Sequence, residues 1–273
     1  MNKKFSLSIL GPNYSYCHIS AMKAFPEAEF VFCPTINEVF KSVIEGKTEY
    51  GLSPIENMLH GSVREAMFAL KQYSVKINKL INLPIHHCLA SQSPNFKKII
   101  SHPQALAQCS KFLESYREKG YPILESSSTS KAMDLASQDK EIAGIGSQQA
   151  AEFFNLSILN ENIEDNHDNM TSFILISKKE NEEINESSRT SIIIQPKEDK
   201  SGILHDILSV FKTNNINLTK IESIPTGKRI GEYLFYIEID GNIKDDNLSS
   251  SLISLKKVHH LYLFGSYPIE NLN

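Results

Sequence analysis

Residues 97–109 read KKIISHPQALAQC, and the fold turns on how this run changes character at its middle. Lys97 to Ser101 suit a short strand. Pro103 then suits the first turn of a helix, where its missing N–H would have found no partner anyway, and His102 stands at the cap. Strand, polar turn and helix recur in that order on both sides. Before it come FSLSILG (5–11), with Ser15 placed to cap a helix, and EFVFCP (29–34). The latter leads into Thr35-Ile36-Asn37-Glu38, at capping-box spacing ahead of the apolar stripe Val39, Phe40, Val43 and Ile44. YGLSPIEN (50–57) is a further strand, with Ser62 placed to cap 63–72, and VKINKLINLPIHHCLAS (75–91) reads as an extended crossover. After it come ILESSSTSKAMDLA (123–136) and EIAGIGSQQAAEFFNL (141–156), the second with Ser147 at its turn. Such alternation implies an α/β domain with mainly parallel sheets, whose ligands bind beyond the carboxyl ends of the strands. At those ends the chain repeatedly sets Ser, Thr, Asn or His at a helix start, where free backbone N–H groups and hydroxyls suit anions. A small carboxylate or phosphate compound is the expected ligand, and no glycine-rich phosphate loop is present.

Composition narrows the function classes. The chain has 273 residues, 41% hydrophobic and 22% charged, as an ordinary globular protein does. Its net charge of −4 argues against a nucleic-acid binder. No apolar run approaches the roughly 18 residues of a membrane span. The opening MNKKFSLSILGP has lysines before an apolar run, but Gly11-Pro12 ends that run without a small-residue cleavage site, so a first strand is expected rather than a leader. Cys17, Cys33, Cys88 and Cys109 are scattered without metal-ligand spacing, as reduced cytoplasmic thiols would be. The doublets His86-His87 and His259-His260 fall in strand-like segments, where neighbours face opposite sides, so no metal site is expected.

KENEEINESSR (179–189) is charged, lacks periodicity and reads as a linker. Beyond it, RTSIIIQP is a strand, and Ile203, Leu204, Ile207, Leu208 and Phe211 share one helical face. INLTKIES is a strand, TGKRIG a turn, and EYLFYIEID alternates Tyr233, Phe235, Ile237 and Ile239 with Glu232, Leu234, Tyr236 and Glu238. A short helix (245–256) and a strand (258–264) complete a βαββαβ, ferredoxin-like unit. Its sheet edge and outer helix face suit pairing or small-ligand sensing. One more stretch stands out, DNHDNMTSFILIS (165–177), where an acidic loop runs through Thr171 and Ser172 into a strand. Periodicity alone leaves that pair open between a strand start and a cleft function.

Several of these segments together resemble prephenate dehydratase with a C-terminal ACT regulatory domain, over nearly the whole chain. SHPQALAQC (101–109) is close to a family signature, and PIEN with GSV (54–57, 61–63) matches the ENSxEGSV loop. GP (11–12), STSKA (128–132) and NMTSF (169–173) follow in the family's order, as do NLTKIESIP (217–225) and FGSYP (264–268) in the second unit. The resemblance implies a two-lobed catalytic domain like type II periplasmic binding proteins over 1–179, and an ACT domain over 190–271. It implies removal of the ring hydroxyl and a carboxylate of prephenate, giving phenylpyruvate, CO2 and water without a cofactor, since aromatisation drives the reaction. Carried over residue by residue, Thr171 would hydrogen-bond the leaving hydroxyl, with Glu56 and Asn57 beside the substrate. Ser15, His102, Gln104, Ser128, Thr129, Ser172 and Phe173 would bind it. In the ACT domain, Gly202, Ile203, Leu204, Asn217, Leu218, Glu222 and Ser223 would take phenylalanine at an interface between copies, in a homodimer or homotetramer. Alternative readings remain for single residues: His102 could equally be only a helix cap by its position, Gln104 and Gln108 face one way and could meet solvent, and Ser126 to Ser128 suit a turn.

Four positions depart from the family pattern. Ser172 stands where the Thr-Arg-Phe motif has arginine, Met58 where ENS has serine, Tyr14-Ser15 where Gly-Thr follows the GP turn, and Ile224 where Glu-Ser-Arg-Pro has arginine. Loss of a charge-assisted hydrogen bond costs about 1.5–3 kcal/mol, or roughly ten- to a hundredfold in binding or rate. The departures therefore suggest an altered cleft and keep three readings open: a divergent dehydratase with another cation in place of the arginine, a prephenate decarboxylase that does not aromatise, and a non-catalytic amino-acid sensor.

Overall fold

The computed structural model describes residues 5–180, 188–198, 200–226 and 232–273. The expected linker at 179–189 and turn at 226–231 fall largely outside them. The first lobe runs β1 (Ser6–Leu10), α1 (Tyr16–Ala24), β2 (Glu29–Cys33), α2 (Ile36–Ile44), β3 (Tyr50–Asn57), β4 (Gly61–Ser62), α3 (Arg64–Tyr73) and β5 (Lys76–Pro84). The second holds β6 (Cys88–Ser91), β7 (Lys98–Ser101), α4 (Pro103–Gln108), α5 (Ser110–Glu118), β8 (Ile123–Glu125), α6 (Thr129–Gln138), β9 (Ile142–Gly146), α7 (Gln148–Phe153) and β10 (Ser157–Asn160). The chain re-enters the first lobe as β11 (Met170–Ser177).

Helix starts follow the expected chemistry. Ser15, Thr35, His102, Ser128 and Ser147 each accept a backbone N–H of their own helix's first turn. Ser62 is the exception: it lies in β4, opposite Glu56, and the residue at the start of α3 is Val63, which makes no side-chain cap. The sheets are mixed rather than mainly parallel. β1 runs parallel to β2 and β3, and β7 to β8 and β9, but β11 and β6 run antiparallel to their neighbours. Those two strands enter each lobe directly from the other, without a helical crossover to restore their direction. Two crossings, after β5 and before β11, thus connect the lobes. The carboxylate of Glu164 braces both, accepting from His87 N at 2.9 Å and meeting His86 Nδ1 at 2.8 Å.

The last unit is β12 (Ser188–Pro196), α8 (Ile203–Thr213), β13 (Leu218–Pro225), β14 (Tyr233–Asp240), α9 (Asp246–Val258) and β15 (His259–Asn271). α8 and α9 cover one face of its sheet over Ile192, Ile194, Phe235 and Ile237. The alternation in β14 foretells a solvent face that does not exist. Ile193, Ile224, Leu234, Tyr236 and Tyr267 pack from the other face into one core with Phe40, Met67 and Leu70 of the first lobe. β15 also outruns its expected end at 264. It bends at Gly265, which takes φ of 110° with Ile77 O only 3.4 Å from where a Cβ would stand, and then pairs parallel with β5, Ile269 opposite Leu80. One sheet therefore runs from the edge strand β13 of the last unit through to β2.

Candidate active site

The lobes enclose a cleft of 410 Å³ lined by Gly11, Ser15, Tyr16, Asn57, His60, Ser62, Thr171 and Phe173 on one side and His102, Gln104, Gln108, Ser128 and Thr129 on the other. That is ample for a small dianion. A wider open depression of 1220 Å³, bordered by Phe5, Phe25, Lys79 and Lys244, lies elsewhere. Ser15 Oγ accepts from His18 N at 3.3 Å and donates to Leu10 O at 3.1 Å, and Ser128 Oγ accepts from Lys131 N at 3.0 Å. These caps leave the first N–H groups of α1 and α6 directed out of their helix ends. The α4 start contributes less. Pro103 has no N–H, and His102 Nδ1 takes that of Gln104 at 3.3 Å. The cleft lining carries no lysine or arginine among the described residues. Burial lowers the pKa of His102 and His87, so both favour the neutral ring.

Asn57, 8% exposed, organises the chemistry. Its Oδ1 accepts from the backbone N–H groups of Leu59 at 3.2 Å and His60 at 3.1 Å, which fixes which way the amide faces. Nδ2 is thereby aimed at Thr171 Oγ1 at 2.9 Å, Asn169 Oδ1 at 3.1 Å and Met170 O at 3.3 Å. The Thr171 oxygen is thus an acceptor toward Asn57, and its own proton has no acceptor among the described residues. That proton is free to donate into the cleft. Asn169 shows the cost of the arrangement: its Oδ1 must meet an N–H donor, and its Nδ2 is buried without a partner among the described residues.

Strand parity separates the remaining expected residues. Thr171 pairs with Asn57 and Ser172 with Glu56, so cross-strand partners share a face and the second pair points away from the cleft. Glu56, expected beside the substrate, forms an ion pair with Lys220 at 2.9 Å. Ser172, expected to bind substrate, donates to Asn82 Oδ1 at 2.7 Å. Both line a separate 340 Å³ cavity between β3, β11 and the last unit, with Met58, Arg189 and Glu238. Of the other departures, Ser15 alone lines the cleft, where it keeps a hydroxyl in place of the family's threonine. Met58 lines that second cavity, and Tyr14, at φ of 58°, stacks on Phe153 at 4.1 Å across the lobes. Ile224 is fully buried in the core joining the units. The change these departures make to the cleft lining is thus confined to Ser15.

Of the expected effector residues, Gly202 begins α8 with φ of 84°, Ile203 and Leu204 follow it, and Asn217 donates to Asp240 Oδ2 at 2.6 Å just before Leu218 opens β13. Along β13 the side chains again divide. Ser223 is exposed, whereas Glu222 turns to the catalytic unit, accepting from Ser62 Oγ at 3.2 Å with Arg64 Nε at 3.8 Å. Sequence reasoning overlooked His60 and the Tyr16–His87–Gln108 chain behind it. The signal for His60 was available: it occupies the glutamate position of the ENSxEGSV loop. No three His, Cys, Asp or Glu side chains converge as metal ligands among the described residues.

Comparison with known proteins agrees with this architecture. The prephenate dehydratase family profile matches residues 7–181 and the ACT domain profile residues 197–255. A prephenate dehydratase of Methanocaldococcus jannaschii is 41% identical over 87% of this chain and 87% of its own. A bifunctional chorismate mutase/prephenate dehydratase of Aquifex aeolicus is 36% identical over 98% of this chain and 75% of its own. The crystal structure of an Arthrobacter aurescens prephenate dehydratase in complex with L-Phe superposes with a TM-score of 0.87 at 29% identity, covering 96% of this chain and 90% of that one. The chain belongs to the prephenate dehydratase family, with an ACT domain following the catalytic unit.

Proposed function

We propose that the cleft converts prephenate to phenylpyruvate, CO2 and water, serving phenylalanine biosynthesis. The carrying observation is the aim of the Asn57 amide, which turns the Thr171 proton toward a ligand. A threonine hydroxyl is a poor acid, so its part is a directed hydrogen bond to charge developing on the departing oxygen. One such donor contributes about 2.7–4 kcal/mol to the transition state. The α1 and α6 starts face the substrate's carboxylates, and Phe173 packs beside the ring. The departures that kept a decarboxylase and a sensor in view lie outside the cleft apart from Ser15, which keeps a hydroxyl, and this favours the dehydratase. Incubation with prephenate should yield phenylpyruvate, read by its absorbance in base. Release of CO2 with a non-aromatic product by mass would overturn the assignment.

Regulation by phenylalanine is part of the same proposal. The family relative that binds L-Phe supports it, and the exposed face and open edge of β13 support pairing of two ACT domains in a homodimer or homotetramer. No helix among the described residues is long and apolar enough to cross a membrane, and a cytoplasmic setting suits four free cysteines.

A further inference from the structure

We propose that His60 is a catalytic acid of this cleft, giving its Nε2 proton to the departing hydroxyl. The inference rests on the dehydratase reading and adds a group to it. Prephenate enters as a dianion and leaves as a monoanion, CO2 and water, so each turnover consumes one proton. Thr171 can steady the departing oxygen but cannot be the net source, because any proton it gave would have to be returned to it before the next turnover. The source must be a group that titrates near neutrality or solvent itself.

His60 lines the cleft, and its Nδ1 lies 3.0 Å from Asn57 Oδ1. Gln104 Nε2 at 3.0 Å and Gln108 Nε2 at 3.3 Å also face this Nδ1, and Gln108 Oε1 meets His87 Nε2 at 2.8 Å behind them. The protein thus engages His60 through Nδ1, and Nε2 is the ring nitrogen left toward the cleft.

The proton that His60 would pass to a ligand is therefore the one on Nε2. That nitrogen has no protein partner among the described residues. The titratable groups around it are His102, His87 and Tyr16 in the cleft walls, with Glu164 behind His87 and Glu222 and Arg64 behind Ser62. Among the described residues no carboxylate contacts the ring, and no lysine or arginine lines the cleft. A bound dianion is therefore the strongest charge beside the ring. Asn57 holds Thr171 through one end of its amide and His60 through the other, so both donors flank one leaving group. As the bond from ring carbon to hydroxyl breaks, the carboxylate bond releases CO2 and its electron pair enters the ring. The oxygen takes the Nε2 proton and departs as water, and the imidazole recovers a proton from solvent.

The test is the pH dependence of kcat and KM for prephenate in the full chain and in His60→Gln, with circular dichroism to verify folding. The wild type should lose kcat as pH rises through the pKa of the complex. His60→Gln should lose about 10²–10⁴-fold in kcat, show no such limb and keep KM. An unchanged limb in the variant overturns the proposal, as does a rise in KM alone, which would make His60 a binding group. Absence of phenylpyruvate from the wild type overturns the dehydratase reading and this role together, a result distinct from the others.

Discussion

Asn57→Asp isolates the Asn57–Thr171 geometry with almost no change in shape. One carboxylate oxygen still accepts from the N–H groups of Leu59 and His60. The other replaces a donor that served Thr171 Oγ1, Asn169 Oδ1 and Met170 O at 2.9, 3.1 and 3.3 Å. Thr171 then rotates its proton onto the new carboxylate and no longer offers it to substrate. Losing one directed donor costs about 2.7–4 kcal/mol, roughly 10²–10³-fold in kcat. Stability falls less. Asn169 can turn its amide over, so that its orphaned Nδ2 donates to the introduced carboxylate, leaving mainly Met170 O facing an acceptor. That leaves about 1–3 kcal/mol, or roughly 2–12 °C in Tm. Acid should rescue activity, because the introduced side chain, once protonated, donates to Thr171 again. Burial raises the pKa of that carboxyl, whereas the N–H groups of Leu59 and His60 and the His60 ring beside it lower it, so the recovery is sought from neutral pH down toward the ordinary value of about 3.9. Steady-state kinetics with prephenate across pH, paired with thermal melts, check both halves. Wild-type kcat at neutral pH would refute the reasoning, and so would a loss that acid does not relieve.

Three further outcomes follow from other contacts. Lys220→Met removes the ion pair to Glu56, a residue of the strand that carries Asn57; since Glu56 is 38% exposed the stability change should stay under about 1 kcal/mol, while KM for prephenate rises severalfold as the β3–β4 hairpin loosens. An unchanged KM would show that the ACT strand does not position the hairpin. Ser172→Arg should leave kcat near wild type, because the new side chain enters the cavity between Glu56 and Glu238 rather than the cleft; a large gain in dehydratase activity would contradict the strand parity. Glu164 has its pKa lowered although burial acts to raise it, since His86, the His87 N–H and His167 together outweigh burial. A depressed folded pKa means stability fully present above the ordinary 4.5 and lost as pH falls through the folded value, so melts below that pH should drop in the wild type and flatten in Glu164→Gln.

The fold was legible where local chemistry is strong. Capping residues such as Ser15, Thr35 and Ser128 mark helix starts by hydrogen bonds their own side chains make within one turn, and nothing distant can relocate them. What one strand cannot disclose is what lies against it. Leu234, Tyr236 and Glu238 look like an outer face because alternation reports that two faces differ, not that one meets water. The same blindness applied to β13, where Glu222 and Ser223 sit side by side in sequence yet serve different sides of the molecule.

In the cleft the limit was parity. A motif match carries neighbouring residues over as a block, but a strand sends neighbours to opposite faces, so at most alternate members of Glu56-Asn57 and Thr171-Ser172 can meet one ligand. Asn57 and Thr171 are the members that line the cleft, and their mutual hydrogen bond shows why they must be read as a pair. It follows that the departures at Ser172 and Met58 are a change in how the catalytic unit meets the ACT domain, with Lys220 and Arg189 supplying positive charge on that side. A further departure, His60, lines the cleft and brings an imidazole to a position whose family residue is an acid. A chain altered in this way has moved its regulatory contact and its proton supply separately, and the two can be measured separately: Lys220→Met should act on KM and His60→Gln on kcat, with the double variant multiplying the two effects. Departure from that product would mean that the hairpin carrying both residues transmits strain from one to the other.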